Sequence, residues 1–193
     1  MLNVLLLGPQ GAGKGTQGRL ISGEYGIPHI ATGDILRGAM GAGTALGRKV
    51  KPIYDAGGLV PDDIMIELIR ERLTADDAAE GFVLDGFPRT AVQAAALDEM
   101  LEEIGRPLTV VLEFQLPETV SIERLTRRSG EEGRADDTPD AIRRRLRLYH
   151  QETEPLIEHY RARGSLVGVP ADRPIGEVFA EIQRVLEQVA VER

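Results

Sequence analysis

A glycine-rich segment between an apolar run and a helix-forming segment constrains the fold of this chain more than any other feature. Residues 8–16 read Gly-Pro-Gln-Gly-Ala-Gly-Lys-Gly-Thr, after the apolar run at residues 4–7 and before a helix predicted from Thr16 to about Glu24. Glycines let successive backbone N–H groups converge on one point, and the helix aims its free N–H groups and positive dipole end at the same point. Lys14 adds a mobile positive charge. The segment predicts a phosphate-binding loop, although Gly15 stands where Ser or Thr is usual and the hydroxyl comes at Thr16.

Apolar runs alternate with helical patterns along the rest of the chain. Strands are predicted at residues 3–7, 26–30, 81–85, 108–114 and 166–169. Helices are predicted between them, and the glycine-rich region 38–58 is predicted to form a small, mobile helical insert rather than core. The several strands separated by helices favour an α/β fold with a doubly wound parallel sheet.

Composition excludes several classes of function. The 193 residues suit one domain, and a net charge of -8 argues against a nucleic-acid or anionic-membrane surface. The chain has no Cys, so it has no disulfide, no thiol nucleophile and no Cys-based zinc site. The N-terminal apolar run is too short for a signal peptide, and no membrane-spanning run occurs. We therefore expect a soluble, cytoplasmic protein.

An acid and a set of arginines follow the predicted strands. Asp85 ends the third strand, where phosphate-binding-loop proteins hold an acid linked to magnesium. Arg89 lies four residues later on a loop stiffened by Pro88, at the sheet edge where ligands of such folds bind. Helical periodicity is predicted to stop at residues 129–137, and a long helix is predicted from Thr138 to about Arg163. Most surface arginines are simply solvated, but six lie beside the loops or beside residues 129–137. These six are Arg37, Arg89, Arg124, Arg128, Arg134 and Arg145.

Four motifs together resemble the adenylate kinase family over nearly the whole chain. They are Gly8-Pro9-Gln10-Gly11-Ala12-Gly13-Lys14-Gly15-Thr16-Gln17, Thr32-Gly33-Asp34-Ile35-Leu36-Arg37, Asp85-Gly86-Phe87-Pro88-Arg89 and Arg134-Ala135-Asp136-Asp137. The resemblance implies reversible phosphoryl transfer from MgATP to AMP, giving two ADP. It also implies the nucleoside monophosphate kinase fold, with a five-stranded core at residues 1–31, 61–124 and 138–193, an AMP-binding insert at 32–60 and a short lid at 125–137. Both inserts are expected to close over substrate, and a monomer is expected.

The resemblance also implies roles for individual residues. On the ATP side it implicates Gly11, Ala12, Gly13, Lys14, Gly15, Thr16, Arg124, Arg128 and Arg173. On the AMP side it implicates Thr32, Arg37, Gly58, Leu59, Val60, Gly86, Phe87, Pro88, Arg89, Gln93, Arg134 and Arg145. The implied catalytic set is Lys14, Asp85, Arg89, Arg128, Arg134 and Arg145. Magnesium is expected to be held mainly by phosphate oxygens and by water near Asp85, and the short lid is expected to carry no zinc.

Two alternatives stay open at this stage. A UMP/CMP kinase of the same fold would use the same loop, but the resemblance favours adenine, because related pyrimidine kinases tend to have Ala and Asn where this chain has Thr32 and Gln93. Gln also offers a paired donor and acceptor to an adenine edge. A nucleotide-binding switch would bind ATP without an acceptor site. Asp34 could act as a general base for a hydroxyl acceptor, but such an acceptor would not need Arg37 and Arg89.

The three histidines are expected to have packing or surface roles, and the role of Gln10 is undecided.

Overall fold

The computed structural model describes residues 1–132 and 138–191 and places the five predicted strands in one parallel sheet. The strands are β1 Leu2–Leu7, β2 His29–Ala31, β3 Gly81–Asp85, β4 Val110–Gln115 and β5 Leu166–Pro170. The sheet has the order β2-β3-β1-β4-β5, so the chain crosses from one half of the sheet to the other between β3 and β4. The α/β prediction is therefore confirmed.

Helices cover both faces of the sheet because successive side chains of each strand point to opposite faces. In β1, Val4 and Leu6 belong to one buried cluster, while Leu5 and Leu7 belong to another. The helices are α1 Lys14–Tyr25, α2 Thr32–Gly41, α3 Ala45–Asp55, α4 Asp62–Leu73, α5 Ala91–Glu103, α6 Glu118–Glu132, α7 Pro139–Leu148, α8 Leu156–Ala162 and α9 Ile175–Val191. The first cluster includes residues of α1 and α9, and the second includes residues of α4, α5 and α8.

The predicted break at residues 129–137 is wrong for its first four residues, because α6 continues through Glu132. These residues carry no apolar side chain, so hydrophobic periodicity gives no signal for a helix that is polar on every side. Arg127 and Glu131 lie one turn apart with their charged groups 3.9 Å from each other, which favours the helical conformation.

The long helix predicted from Thr138 to Arg163 is also interrupted. A π-helical turn, Tyr149–Thr153, separates α7 from α8, and the N–H of Glu154 donates to the carbonyl of Tyr149 at 2.8 Å. Pro155 follows directly and has no N–H to continue the regular hydrogen-bond ladder. The helix is therefore interrupted next to a proline, and the spacing of apolar residues alone does not predict this break.

The insert packs onto the core more closely than predicted. Val50 is fully buried and Tyr54 is 9% exposed, and both join the same buried cluster as Leu36 and Val60. The prediction that this region contributes little core is wrong for these side chains. The expected mobility of the insert stays a prediction.

Gly47 permits the close contact between α2 and α3. A Cβ at this position would lie 2.1 Å from the carbonyl oxygen of Ala39, which is backbone and cannot swing away. We expect Gly47→Ala to lower the free energy of unfolding by about 2–4 kcal/mol. Gly38→Ala is the matched control, since Gly38 lies in α2 with open space around it and Ala there should stabilise by up to about 1 kcal/mol. Urea unfolding of both variants measures the difference, and equal stabilities would contradict the packing assigned to Gly47.

Within residues 1–132 and 138–191, no helix is long and apolar enough to cross a membrane.

Candidate functional site

The glycine-rich segment forms a loop between β1 and α1, as the sequence predicts. Gly8, Gly11 and Gly13 all have positive φ angles, which a residue with a side chain rarely adopts. Gly13 directly precedes α1, so the first free N–H groups of that helix open onto the loop. The loop therefore presents backbone donors and a helix N-terminus to one place, as anion binding requires.

Lys14 curls back over this loop. Its Nζ donates to the carbonyl oxygens of Gly8 at 2.7 Å and Pro9 at 2.9 Å. Burial lowers the pKa of Lys14 to about 8; the charge of Asp85 opposes this change, while those of Arg89 and Arg128 add to it. The ammonium group is thus held by neutral carbonyls, which a more strongly accepting phosphate can replace.

The lowered pKa predicts a pH dependence for ATP use. In the free protein, Lys14 is charged below about pH 8 and loses its proton as the pH rises through that value. Since kcat/KM reports ionisations of the free enzyme, we expect kcat/KM for ATP to fall above pH 8. Lys14→Arg keeps its charge and should remove the fall while lowering the plateau. A profile that stays flat for the parent protein up to pH 9.5 would contradict this role of the Lys14 charge.

Asp85 ends β3 beside the loop. Burial alone would raise the pKa of this carboxyl, but His29, Lys14 and Arg89 together hold it below its usual range. His29 Nε2 lies 3.6 Å from Asp85 Oδ2, so this histidine packs beside the carboxylate as expected for a buried packing role. A Cβ on Gly15 would make only an ordinary contact with the same oxygen, at 3.7 Å, and Asp85 itself lines the cleft described below. A carboxylate in the wall of a phosphate-binding cleft suits a hydrated magnesium ion bound to phosphate.

Several hydrogen bonds fix the loop that carries Arg89. Arg89 Nε donates to the carbonyl of Gly86 at 2.8 Å, and the backbone N–H of Arg89 donates to Gln93 Oε1 at 2.8 Å. Thr153, in the π-helical turn, donates from its hydroxyl to the carbonyl of Arg89 at 2.9 Å. Burial and the nearby charge of Arg145 lower the pKa of Arg89. The guanidinium is therefore positioned by the fold rather than free to move in solvent.

Arg145 and Arg37 approach Arg89 from two other elements. Arg145 lies on α7, is 8% exposed, and places its guanidinium carbon 5.3 Å from the centroid of the Tyr54 ring. Arg37 lies on α2 and donates to the hydroxyl of Tyr54 and to the carboxylate of Asp34. Three arginines that are distant in sequence thus line one part of the cleft.

Two arginines of the predicted ATP side are anchored to backbone carbonyls. Arg124 Nη1 donates to Ala171 at 3.0 Å, and Arg173 Nη2 donates to Pro170 at 3.2 Å and to the carboxylate of Glu181. Arg124 also lies 3.4 Å from the carbonyl of Gly11. Both therefore flank the loop at the start of α1.

These elements enclose a cleft of about 680 Å³ at the carboxyl ends of the strands. It brings together most of the predicted site residues: Gly11, Ala12, Gly13, Lys14, Gly15, Thr16, Arg37, Gly58, Asp85, Gly86, Pro88, Arg89, Arg124, Arg128, Arg145 and Arg173. Arg134 and the motif at residues 134–137 lie outside the described residues.

Five predicted AMP-side residues do not line the cleft: Thr32, Leu59, Val60, Phe87 and Gln93. Thr32 is 1% exposed and its hydroxyl donates to the carbonyl of Asp85, and no side chain caps the start of its helix. Gln93 is 2% exposed, and besides accepting from Arg89 it donates to Asp62 Oδ1 at 2.7 Å. An adenine contact by Gln93 therefore requires these hydrogen bonds to be exchanged.

Tyr54 and Thr153 are among the cleft-lining residues that the sequence patterns do not indicate. A single Tyr in a segment with few apolar residues does not indicate that its side chain contacts arginines distant in sequence. Thr153 is brought to Arg89 by the π-helical turn, which the apolar pattern does not predict.

Comparison with known proteins identifies a family with this arrangement. The family model described as adenylate kinase matches residues 6–165. An adenylate kinase from Stenotrophomonas maltophilia is 44% identical over 181 residues, covering 94% of this chain and 97% of that protein. An adenylate kinase from a Cyanothece species is 44% identical over 193 residues, covering 100% of this chain and 99% of the relative. One from Archaeoglobus fulgidus is 42% identical over 215 aligned positions, covering 97% and 99%.

Proposed function

This chain belongs to the adenylate kinase family, and we infer from the layout of its cleft how its own residues divide between the two nucleotides. The reaction is reversible phosphoryl transfer from MgATP to AMP, which yields two ADP and serves adenine nucleotide homeostasis. One observation carries the assignment. The anion-binding loop with Lys14 and a cluster of three arginines from separate elements line the same cleft.

The loop side of the cleft takes ATP. The backbone N–H groups at residues 11–16 bind the phosphates, and Lys14 exchanges its two carbonyl partners for phosphate oxygens. Thr16 donates its hydroxyl to a phosphate. Arg124, Arg128 and Arg173 flank this side, and Arg124 and Arg173 donate to backbone carbonyls at the end of β5.

The insert side takes AMP. Arg37, Arg89 and Arg145 receive its phosphate, since guanidinium groups bind phosphate through paired hydrogen bonds. Gly58, Gly86 and Pro88 line the same region. Thr32, Leu59, Val60, Phe87 and Gln93 do not line the cleft in this structure but are proposed to complete the AMP side, and Arg134 is proposed to join from the lid at residues 125–137.

The chemistry needs positioning and charge more than proton transfer. The phosphate of AMP is already ionised at pH 7, so no base has to create the nucleophile. ATP, AMP and one magnesium ion together bring roughly four negative charges, which Lys14 and the arginines offset in the transition state. The charge of Arg89 also contributes to the lowered pKa of Lys14 on the loop side, so we propose that Arg89, together with Arg145, acts on the phosphoryl group in transit as well as on AMP. Asp34, which pairs with Arg37, is not assigned the role of a base.

Asp85 is proposed to orient the water ligands of magnesium, because its carboxylate is ionised and lines the cleft together with Gly15. Bound magnesium supplies charge neutralisation of the donor phosphates. Among the described residues no cluster of His, Asp or Glu can hold a metal by protein ligands alone. The expected lack of zinc, the monomeric state, the cytoplasmic location and the lack of nucleic-acid binding stay predictions.

A panel of acceptors tests this function. We expect ADP to form from MgATP and AMP at least ten times faster than from MgATP with CMP, UMP or GMP, because a hydrogen-bonded base site rejects bases that leave its groups unpaired. Preference for CMP or UMP would make the chain a pyrimidine nucleotide kinase of the same fold. ATP turnover that does not respond to any acceptor would indicate a nucleotide-binding switch.

A further inference from the structure

Tyr54 touches two arginines that the cleft assigns to the phosphate of AMP. Its hydroxyl accepts a hydrogen bond from Arg37, and its ring lies 5.3 Å from the guanidinium carbon of Arg145. We propose that Tyr54 is a positioning residue that sets Arg37 and Arg145 at the spacing required by the phosphate of AMP. The proposal rests on the AMP side described above and assigns to that side a residue outside the family motifs quoted from the sequence.

Backbone packing holds Tyr54 in this place. It is the last residue but one of α3, and Gly57 follows that helix with a φ of +71°. A Cβ on Gly57 would lie 2.6 Å from the carbonyl oxygen of Ala141, so the insert approaches α7 backbone to backbone. Ala141 precedes Arg145 by four residues and lies on the same side of α7. The ring of Tyr54 is therefore fixed against Arg145 by the contact between the insert and α7.

Electrostatics explains why a neutral aromatic residue suits this position. Arg37, Arg89 and Arg145 repel one another, and the charges of Arg145 and Arg37 contribute to the lowered pKa of Arg89. The π-face of a tyrosine attracts a guanidinium, and its oxygen accepts a hydrogen bond, without introducing a negative charge. A carboxylate in the same place would hold the arginines equally well but would repel the phosphate of AMP. Asp34 also pairs with Arg37, but its side chain is 57% exposed, so solvent weakens that charge.

The two parts of the tyrosine side chain have separable effects. The hydroxyl acts on Arg37, which contacts the acceptor, so its loss should weaken AMP binding. The ring acts on Arg145, which is shared between acceptor binding and transfer, so its loss should also lower the rate. Neither part touches the ATP loop, so KM for ATP should not change.

Two substitutions at Tyr54 separate these effects. For Tyr54→Phe we expect KM for AMP to rise about fivefold, while kcat and KM for ATP stay within twofold, because one hydrogen bond to a charged group is lost. For Tyr54→Leu we expect kcat/KM for AMP to fall about thirtyfold, with part of the loss in kcat, because the cation–π contact is lost as well.

Tyr160 provides the matched control. It lies in α8 and the same buried cluster, is 1% exposed, and its hydroxyl has no hydrogen-bond partner among the described residues. Tyr160→Phe and Tyr160→Leu should leave KM for AMP unchanged, although the second should lower thermal stability by leaving a cavity.

A rise in KM that is confined to AMP and absent from the Tyr160 variants would support the proposal. An unchanged KM for AMP in both Tyr54 variants, or an equal rise in KM for ATP, would overturn it. If Tyr54→Leu does not fold, Tyr54→Phe alone decides, since it keeps the ring and the packing. Failure of the proposed function would look different, because the parent protein itself would then lack AMP-dependent turnover.

Discussion

Replacing Arg89 by Ala is expected to lower kcat about a thousandfold, which is the scale at which arginines act on a transferring phosphoryl group. The charge of Arg89 contributes to the lowered pKa of Lys14, and the charges of Arg37 and Arg145 contribute to the lowered pKa of Arg89, so Arg89 is near both groups and its charge can act on the phosphoryl group that moves between the nucleotides. The loss should therefore appear mainly in kcat, with smaller changes in both KM values. Steady-state kinetics with ATP and AMP varied separately measures the split.

The fold should survive this substitution. The hydrogen bonds from the Arg89 backbone N–H to Gln93 and from Thr153 to the Arg89 carbonyl do not involve its side chain. Arg106→Ala is the matched control, because Arg106 is also half-buried and donates to the backbone carbonyl of Leu73 at 3.1 Å, but it does not line the cleft. We expect Arg106→Ala to lower stability and keep kcat. An Arg89→Ala enzyme with an unchanged kcat would remove Arg89 from the catalytic residues.

Replacing Lys14 by Met is expected to lower kcat/KM for ATP about a hundredfold to a thousandfold. The side chain keeps its length, but the phosphates lose their mobile positive charge and one hydrogen-bond donor. The free protein should be no less stable, since the buried ammonium group and its lowered pKa indicate a cost of burying this charge. The change should thus damage activity while thermal unfolding stays the same or shifts upward.

Lys49→Met is the control for this experiment. Lys49 is exposed on α3 and does not line the cleft, so its replacement changes the net charge by the same amount. Its kcat/KM for ATP should stay within twofold of the parent protein. A Lys14→Met protein that keeps its kcat/KM for ATP would show that Lys14 does not contact the phosphates, whatever the geometry of the loop.

The sequence predicts the layout of the core because its signals are local. A glycine-rich loop between an apolar run and a helix depends on neighbours in the chain, and the structure has this loop at residues 8–13 between β1 and α1. Strands with apolar side chains on both faces predicted a sheet covered on both sides, and its two buried clusters confirm this. Asp85 and Arg89 were found because they follow a strand, and strand ends meet at one edge of the sheet.

The remaining features depend on contacts between residues that are distant in sequence. The approach of Tyr54 to Arg145 joins α3 to α7, and neither segment carries a signal for the other. Gln93 was expected to face a nucleotide, but in the structure its amide links the Arg89 backbone to Asp62. The extension of α6 to Glu132 is not predicted because the end of that helix has no apolar side chains. The π-helical turn is not predicted because the spacing of apolar residues does not show which backbone groups form hydrogen bonds.

The most direct test of the account starts from MgADP as the only nucleotide. If one cleft holds a donor and an acceptor adenine nucleotide, the protein should convert ADP into ATP and AMP in equal amounts, and ion-exchange chromatography of the products measures both. Arg89→Ala should lower the rates of formation of both products by the same factor. Release of inorganic phosphate without matching AMP and ATP, or no turnover of MgADP, would contradict the central claim that this cleft transfers a phosphoryl group between two adenine nucleotides.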